Sequence, residues 1–282
     1  MTPTHSLIPK LPIGDGIEAA INFLVDHFAF ITKGITAVLK VVLDAFEDSM
    51  LFLPPWLFII LAVALAYYLS RKKGIAIFTA VGLALIWNIG LWDNTISTIA
   101  LVLISTFIAI LLGVPLGIAA AMSTVMYRVI MPVLDVMQTM PAFVYLIPAI
   151  PFFGLGKVAA IFSTVIFSMP PAIRLTCLGI KQVPRELSEC ADAFGSDRWQ
   201  KLFKLELPLA TPTIMAGVNQ TVMLALSMVV IAAMIGAKGL GGEVWKAIQR
   251  LQTGNGFEAG IGIVIVAIIL DRVLQRMGIR NG

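Results

Sequence analysis

The residues able to do covalent or metal chemistry are few and badly placed for it. His5 and His27 are the only histidines and both fall in the N-terminal region, where they read as polar surface residues. Cys177 and Cys190 form no spaced pair, which argues against a disulfide framework or a metal site. No Gly-x-x-x-x-Gly-Lys-Ser/Thr phosphate loop occurs, and the glycine cluster at 236–242 has the wrong spacing for one. The chain is therefore expected to be no enzyme, to carry no catalytic residue and no metal, and to bind no cofactor itself. Two charges stand out because they sit in apolar surroundings: Asp135, followed by Gln138, and Arg174. A charge at that depth is either an ion-pair partner or part of a polar pathway, and a structural pairing of Asp135 with Arg174 or Arg128 is the simpler expectation.

The elements that must position these groups are apolar helices. Of 282 residues, 59% are hydrophobic and 13% charged, and the mean hydropathy is +0.95, more than a soluble core of this size requires. Runs able to cross a hydrocarbon layer of roughly 30 Å lie at 54–70, 74–91, 96–122, 158–180, 212–235 and 259–277. A seventh, 129–153, is interrupted by Pro132, Pro141, Pro148 and Pro151. Broken backbone at membrane depth survives only where protein buries it or a water-filled cavity receives it. Gln138, Met140, Pro141, Phe143 and Tyr145 are accordingly the candidate lining of a pathway, with Phe152 and Phe153 as further aromatics. Gly113 and Gly117 permit a close helix contact.

Twelve Lys or Arg fall on one side of such a bundle and seven on the other, with Arg174 inside a span. The bias toward basic cytoplasmic loops places 181–205 and the C-terminus in the cytoplasm and the N-terminus outside, consistent with seven crossings. The net charge of +4 then reports topology, not nucleic-acid binding. Residues 1–16 contain three prolines and no signal-like apolar core. In 17–50, Ile21, Leu24, Val25, Phe28, Ile31, Ile35, Val38, Leu39, Val42, Leu43 and Phe46 make one stripe, with Asp26, Lys33, Lys40, Asp44 and Glu47 between them. This predicts an amphipathic helix lying on the membrane surface with its charges toward water. Two domains follow: 1–50, extracytoplasmic lead-in and interfacial helix, and 51–282, the transmembrane domain.

Between two spans, 184–208 reads as helix, turn, helix. Pro184 suits a first turn, Leu187, Ala191 and Phe194 share a face, and Gly195 can take the left-handed conformation that ends a helix. Asp197 with Gln200 fits a capping box; Trp199, Leu202 and Phe203 line up after it, with Arg198, Lys201 and Lys204 turned away, and Pro208 is expected to close the second arm.

The run Glu189-Cys190-Ala191, three residues, Gly195, nine residues, Leu205-Glu206-Leu207-Pro208 resembles the EAA loop of ATP-binding-cassette importer permeases, with Cys190 and Leu205 as its departures. Stretches from Leu134 to Pro148, Pro170 to Thr176, Gly179 to Pro184, Leu207 to Gln220 and Met228 to Ile231 look like the permeases of glycine betaine, proline betaine and choline importers, a similarity covering roughly 50–275. The resemblance implies an all-α, polytopic bundle of the type I importer kind in a bacterial inner membrane. It implies alternating access for a compatible solute or quaternary ammonium compound, driven by a separate ABC ATPase that binds ATP and Mg. Further implied partners are an extracytoplasmic binding protein, a second copy of the permease and membrane lipid. Glu189, Ala191, Gly195, Leu205, Leu207 and Pro208 become the residues that couple to the ATPase. The outer loop 237–256, with Glu243, Lys246 and Arg250, becomes the docking surface for the binding protein. Permeases for another small solute are the alternative; a stand-alone secondary carrier fits less well, because no inverted repeat and few buried charges are found.

Overall fold

The computed structural model describes residues 12–279, and it excludes the side chains of Ile13 and of 275–279. The lead-in before Pro12, with His5 and Lys10, and the basic Arg276 and Arg280 side chains thus lie outside the described residues. Among the described residues every regular element is a helix.

α1 (Ile13–Leu51) is one continuous helix that meets α2 (Pro55–Ser70) at a bend of 98° around Pro54 and Pro55. Arg71, left-handed at φ 50°, turns the chain into α3 (Lys73–Asn88). α4 (Trp92–Met122) follows, then α5 (Thr124–Thr139), whose first turn is capped by the Ser123 hydroxyl. A 3-10 turn (Ala142–Tyr145) leads to the short α6 (Leu146–Phe153), bent 113° from α5, and then α7 (Lys157–Lys181). The small helices α8 (Arg185–Ala193) and α9 (Arg198–Lys201) precede a π turn (Leu202–Glu206) and α10 (Leu207–Ala233). α11 (Leu240–Gln249) and α12 (Thr253–Ile279) complete the chain.

Trp92–Met122, Lys157–Lys181 and Arg198–Ala233 are long and apolar enough to cross a membrane, and the two bent pairs, α1 with α2 and α5 with α6, each qualify as one broken span. The expected runs 54–70 and 74–91 fold as helices of 16 residues each, shorter than the roughly 20 a perpendicular crossing takes.

The core is a trio. α4 and α7 run parallel, α10 antiparallel to α7, and small residues let the backbones meet. A Cβ at Gly117 would lie 2.6 Å from the Ile173 carbonyl oxygen, and one at Gly217 would lie 3.1 Å from that of Pro171. The Gly113–Gly117 pair of the sequence thus packs α4 on α7, with van der Waals contact supplying the attraction that hydrophobicity cannot supply in lipid. At the end away from the hairpin, two hydrogen bonds tie the segments between helices to the bundle. The Gly156 amide donates to the Ile235 carbonyl (2.8 Å), and the Leu240 amide donates to the Thr98 hydroxyl (2.8 Å).

The charges of α1 do not all face water. Lys157, the first residue of α7, donates to Glu47 (2.7 Å) and Asp44 (3.1 Å), and the Ser97 hydroxyl donates to the other Glu47 oxygen (2.5 Å). Glu47 is only 8% exposed. The cause is simple: Leu39, Leu43 and Met50 of α1 pack on the bundle, which carries the neighbouring carboxylates to Lys157 at the start of α7. Leu24, Phe28, Ile31, Ile35, Val38 and Val42 form the adjoining stripe and remain exposed.

Candidate coupling hairpin and pathway helix

The segment after α7 turns back on itself through local hydrogen bonds that its sequence dictates. Pro184, extended at φ −54° and ψ 134°, stands just before α8 and not within its first turn. α8 ends in a Schellman turn: the Gly195 amide donates to the Asp192 carbonyl (2.9 Å) and the Ser196 amide to that of Ala191 (3.0 Å), with Gly195 at φ +78°. The capping box then starts α9, the Gln200 amide donating to Asp197 (2.7 Å) and the Asp197 amide to the Gln200 side chain (3.1 Å). Lys201 donates to both Asp192 carboxylate oxygens at 2.7 and 2.8 Å, locking one arm to the other.

Two sequence expectations fail in the second arm. Pro208 does not end it: helix runs unbroken from Arg198 to Ala233. The π turn makes this possible, because the Leu207 amide reaches the Leu202 carbonyl and the widened turn relieves the clash between the proline ring and the Lys204 carbonyl. Leu202 does not line up with Trp199 and Phe203 on one face either. It is 1% exposed, seated against Ile180, Ala210, Ile118 and Ile214, so it anchors the hairpin to α4, α7 and α10. Outward instead point Leu187, Phe194, Trp199 and Phe203, the last two stacked with ring centres 6.0 Å apart, and α8 buries no residue. Glu189 and Gly195 are exposed on this surface; Ala191, Leu205 and Leu207 are half-buried, and Pro208 is exposed. Glu189 faces Arg185 at 3.8 Å.

The broken element is organised by its prolines. Met140 and Pro141 are extended, and Pro141 has no amide to give the Met137 carbonyl. The Tyr145 hydroxyl takes that place, donating to the Met137 oxygen across the break, while its ring packs edge-on against Phe167 at 5.7 Å. Tyr145 is therefore buried and braces the bend instead of lining it. Gln138, Pro141 and Phe143 are exposed, and Met140 is half-exposed. Phe153 turns inward onto Phe162, ring centres 4.5 Å apart. Asp135 accepts from Arg174 at 2.6 Å, the ion pair anticipated from the sequence, and Lys181 caps the Tyr127 ring at 3.3 Å.

On α11, Lys246 donates to Glu243 at 2.8 Å, and Arg250 is exposed. Leu251 follows in the left-handed region at φ 54° with its side chain 89% exposed. Among the described residues no cluster of His, Cys, Asp and Glu has the makings of a metal site.

The bundle thus has a long buried trio, a proline-broken helix beside it and an exposed helical hairpin that a three-residue turn joins to α7 and unbroken helix joins to α10. Residues 113–277 match the family described as binding-protein-dependent transport system inner membrane component. The chain belongs to that family. Similar curated proteins include the glycine betaine/carnitine transport permease protein GbuB of Listeria monocytogenes, 52% identical over 95% of this chain and 96% of the relative. The glycine betaine transport system permease protein OpuAB of Bacillus subtilis is 50% identical over 97% of each chain. The glycine betaine/proline betaine permease protein ProW of Escherichia coli is 45% identical over 99% of this chain and 78% of its own. An inward-facing structure of the MetNI methionine ABC transporter shares the fold, with a TM-score of 0.58 and 22% identity over 67% of this chain and 93% of that one. This family member is thus a permease subunit of an ABC importer, a multi-pass protein of the inner membrane that works with an ATPase and a substrate-binding protein.

Proposed function

We propose that this permease carries glycine betaine, and with it proline betaine or choline, through a passage bordered by α5 and α6. The ATPase subunit, which holds ATP and Mg, would drive it through the hairpin 184–208. The observation carrying this reading is the hairpin itself: Leu187, Phe194, Trp199 and Phe203 stand exposed on two arms, one joined to α7 by a three-residue turn and the other continuous with α10. Apolar groups left uncovered on a rigid projection call for a partner surface, and Glu189 and Gly195 share that surface. The choice of solute rests on relatives whose names share glycine betaine. Exposed aromatic faces such as Phe143 suit a quaternary ammonium group.

Four further parts belong to the same proposal. A second copy of the chain covers the exposed stripe Val125, Val129, Val133 and Val136 on α5, placing the passage between two permeases. The chain crosses the membrane seven times with its N-terminus outside and its C-terminus inside. α1 lies on the outer membrane surface, a reading its 98° bend from α2 and its exposed apolar stripe support. Lastly, Glu243, Lys246 and Arg250 on α11 present the face that receives the binding protein.

The test is reconstitution with the ATPase and binding protein in liposomes. ATP-dependent accumulation of radiolabelled glycine betaine, competed by proline betaine or choline, is the expected result. Accumulation that proceeds without the ATPase would sink the proposal.

A further inference from the structure

α5 is held weakly by its own packing: it buries only Leu134, whereas α7 beside it buries 16 residues. What joins the two is a regular set of side-chain tethers. Phe167, Arg174 and Lys181 stand seven residues apart along α7, which puts them on one face of the helix. Each meets one residue of the broken element. Phe167 meets the Tyr145 ring at 5.7 Å, Arg174 meets Asp135 at 2.6 Å, and Lys181 sits over the Tyr127 ring at 3.3 Å. The topmost contact also spans the break, since the Tyr145 hydroxyl holds the Met137 carbonyl. The lowest lies one residue before Gln182, from which the chain passes through Pro184 into α8.

We infer that this three-rung ladder transmits displacement of the hairpin to the pathway element, with Asp135, Arg174 and Lys181 acting as positioning residues. The geometry supports a mechanical division. α7 is clamped to α4 and α10 by backbone contacts at Gly117 and Gly217, so it moves as a rod with the trio. α5 buries only Leu134 and has no such close backbone approach to α7 among the described residues, so the rungs are its specific side-chain links to that helix. Arg174 also keeps its buried Nε without a hydrogen-bond partner, so its charge is answered by Asp135 alone among the described residues. Removing that carboxylate releases α5 at the middle rung and leaves the partly exposed guanidinium without its counter-charge. Hydrolysis would then continue on the partner while the passage ceases to follow it.

The inference rests on the pathway reading proposed above, and the experiment separates the two. In liposomes holding permease, ATPase and binding protein, glycine betaine uptake and phosphate release are measured on the same vesicles. Asp135→Asn should lower uptake per ATP by roughly tenfold while stimulated hydrolysis stays within about twofold, and the charge swap Asp135→Arg with Arg174→Asp should recover part of the loss. Lys181→Met removes a rung at the exposed end of α7, where folding is not at stake, and should lower the same ratio by about threefold. If both single variants reduce uptake and hydrolysis in equal proportion, the ladder is refuted. Labelling of Gln138→Cys, followed by peptide mass, should vary with ATP in the parent and lose that variation in Asp135→Asn; undiminished variation there also refutes the ladder. Absence of protection of that cysteine by glycine betaine in the parent overturns the pathway reading instead.

Discussion

α7 and the hairpin that follows it both carry large apolar side chains and put them to opposite uses. In α7's most apolar window 67% of residues are buried, and its glycine neighbours bring three backbones together. Three residues further on, α8 buries nothing, and the hairpin's aromatic groups face outward. Apolar character in the rod holds the subunit together, and in the tip it waits for another chain. Stability and coupling are therefore separable: changes in the rod should cost folding, changes at the tip should cost only communication.

The sharpest way to break that contrast is Gly117→Leu. With the Ile173 carbonyl 2.6 Å from the first added carbon, α4 and α7 must separate, and a loss of about 3 kcal/mol or more is expected, read as failed assembly or a lowered Tm in detergent. Leu202→Ala tests the joint between rod and tip. It empties a site that is 1% exposed, so about 2–4 kcal/mol of stability should be lost together with hydrolysis stimulation. Glu189→Lys, on the exposed surface, should leave Tm unchanged while uptake and stimulated hydrolysis fall together by at least about tenfold, equivalent to ~1.4 kcal/mol of subunit affinity. Tyr145→Phe keeps the ring on Phe167 but orphans the Met137 carbonyl; the expected cost is about 1 kcal/mol in thermal unfolding. The smallest effect belongs to Lys246→Glu with Arg250→Glu. Reversing exposed charges on α11 should weaken the binding protein's association by less than about 1 kcal/mol, and added salt should erase the difference.

The features legible in the sequence were those made by neighbours along the chain. The Schellman turn at Gly195, the capping box at Asp197 and the stripe of α1 each depend on residues within two turns, so spacing alone reveals them. The Asp135–Arg174 pair was legible because two charges in apolar helices have few other ways to be satisfied. The rest depended on distant partners. Nothing near Lys157 announces Asp44 and Glu47, more than a hundred residues earlier, and only the bend before α2 brings them together. Tyr145 looked like one more aromatic in a membrane helix until the carbonyl abandoned by Pro141 was found under its hydroxyl. A breaker rule applied to Pro208 predicted a stop that the preceding π turn removes.

That π turn has a consequence for how such a protein can change over time. It is in effect one surplus residue carried inside a helix, and each residue of α-helix turns its neighbours by about 100°. Deleting a single position between Leu202 and Glu206 would restore regular winding and rotate Trp199 and Phe203 more than a quarter of the way round the axis of α10. The composition of the docking tip would be nearly untouched, yet its aromatic pair would address a different direction. Length, more than chemistry, sets the compass bearing of this hairpin, so lineages can retune it with a one-codon insertion or deletion where substitutions would leave its aim fixed.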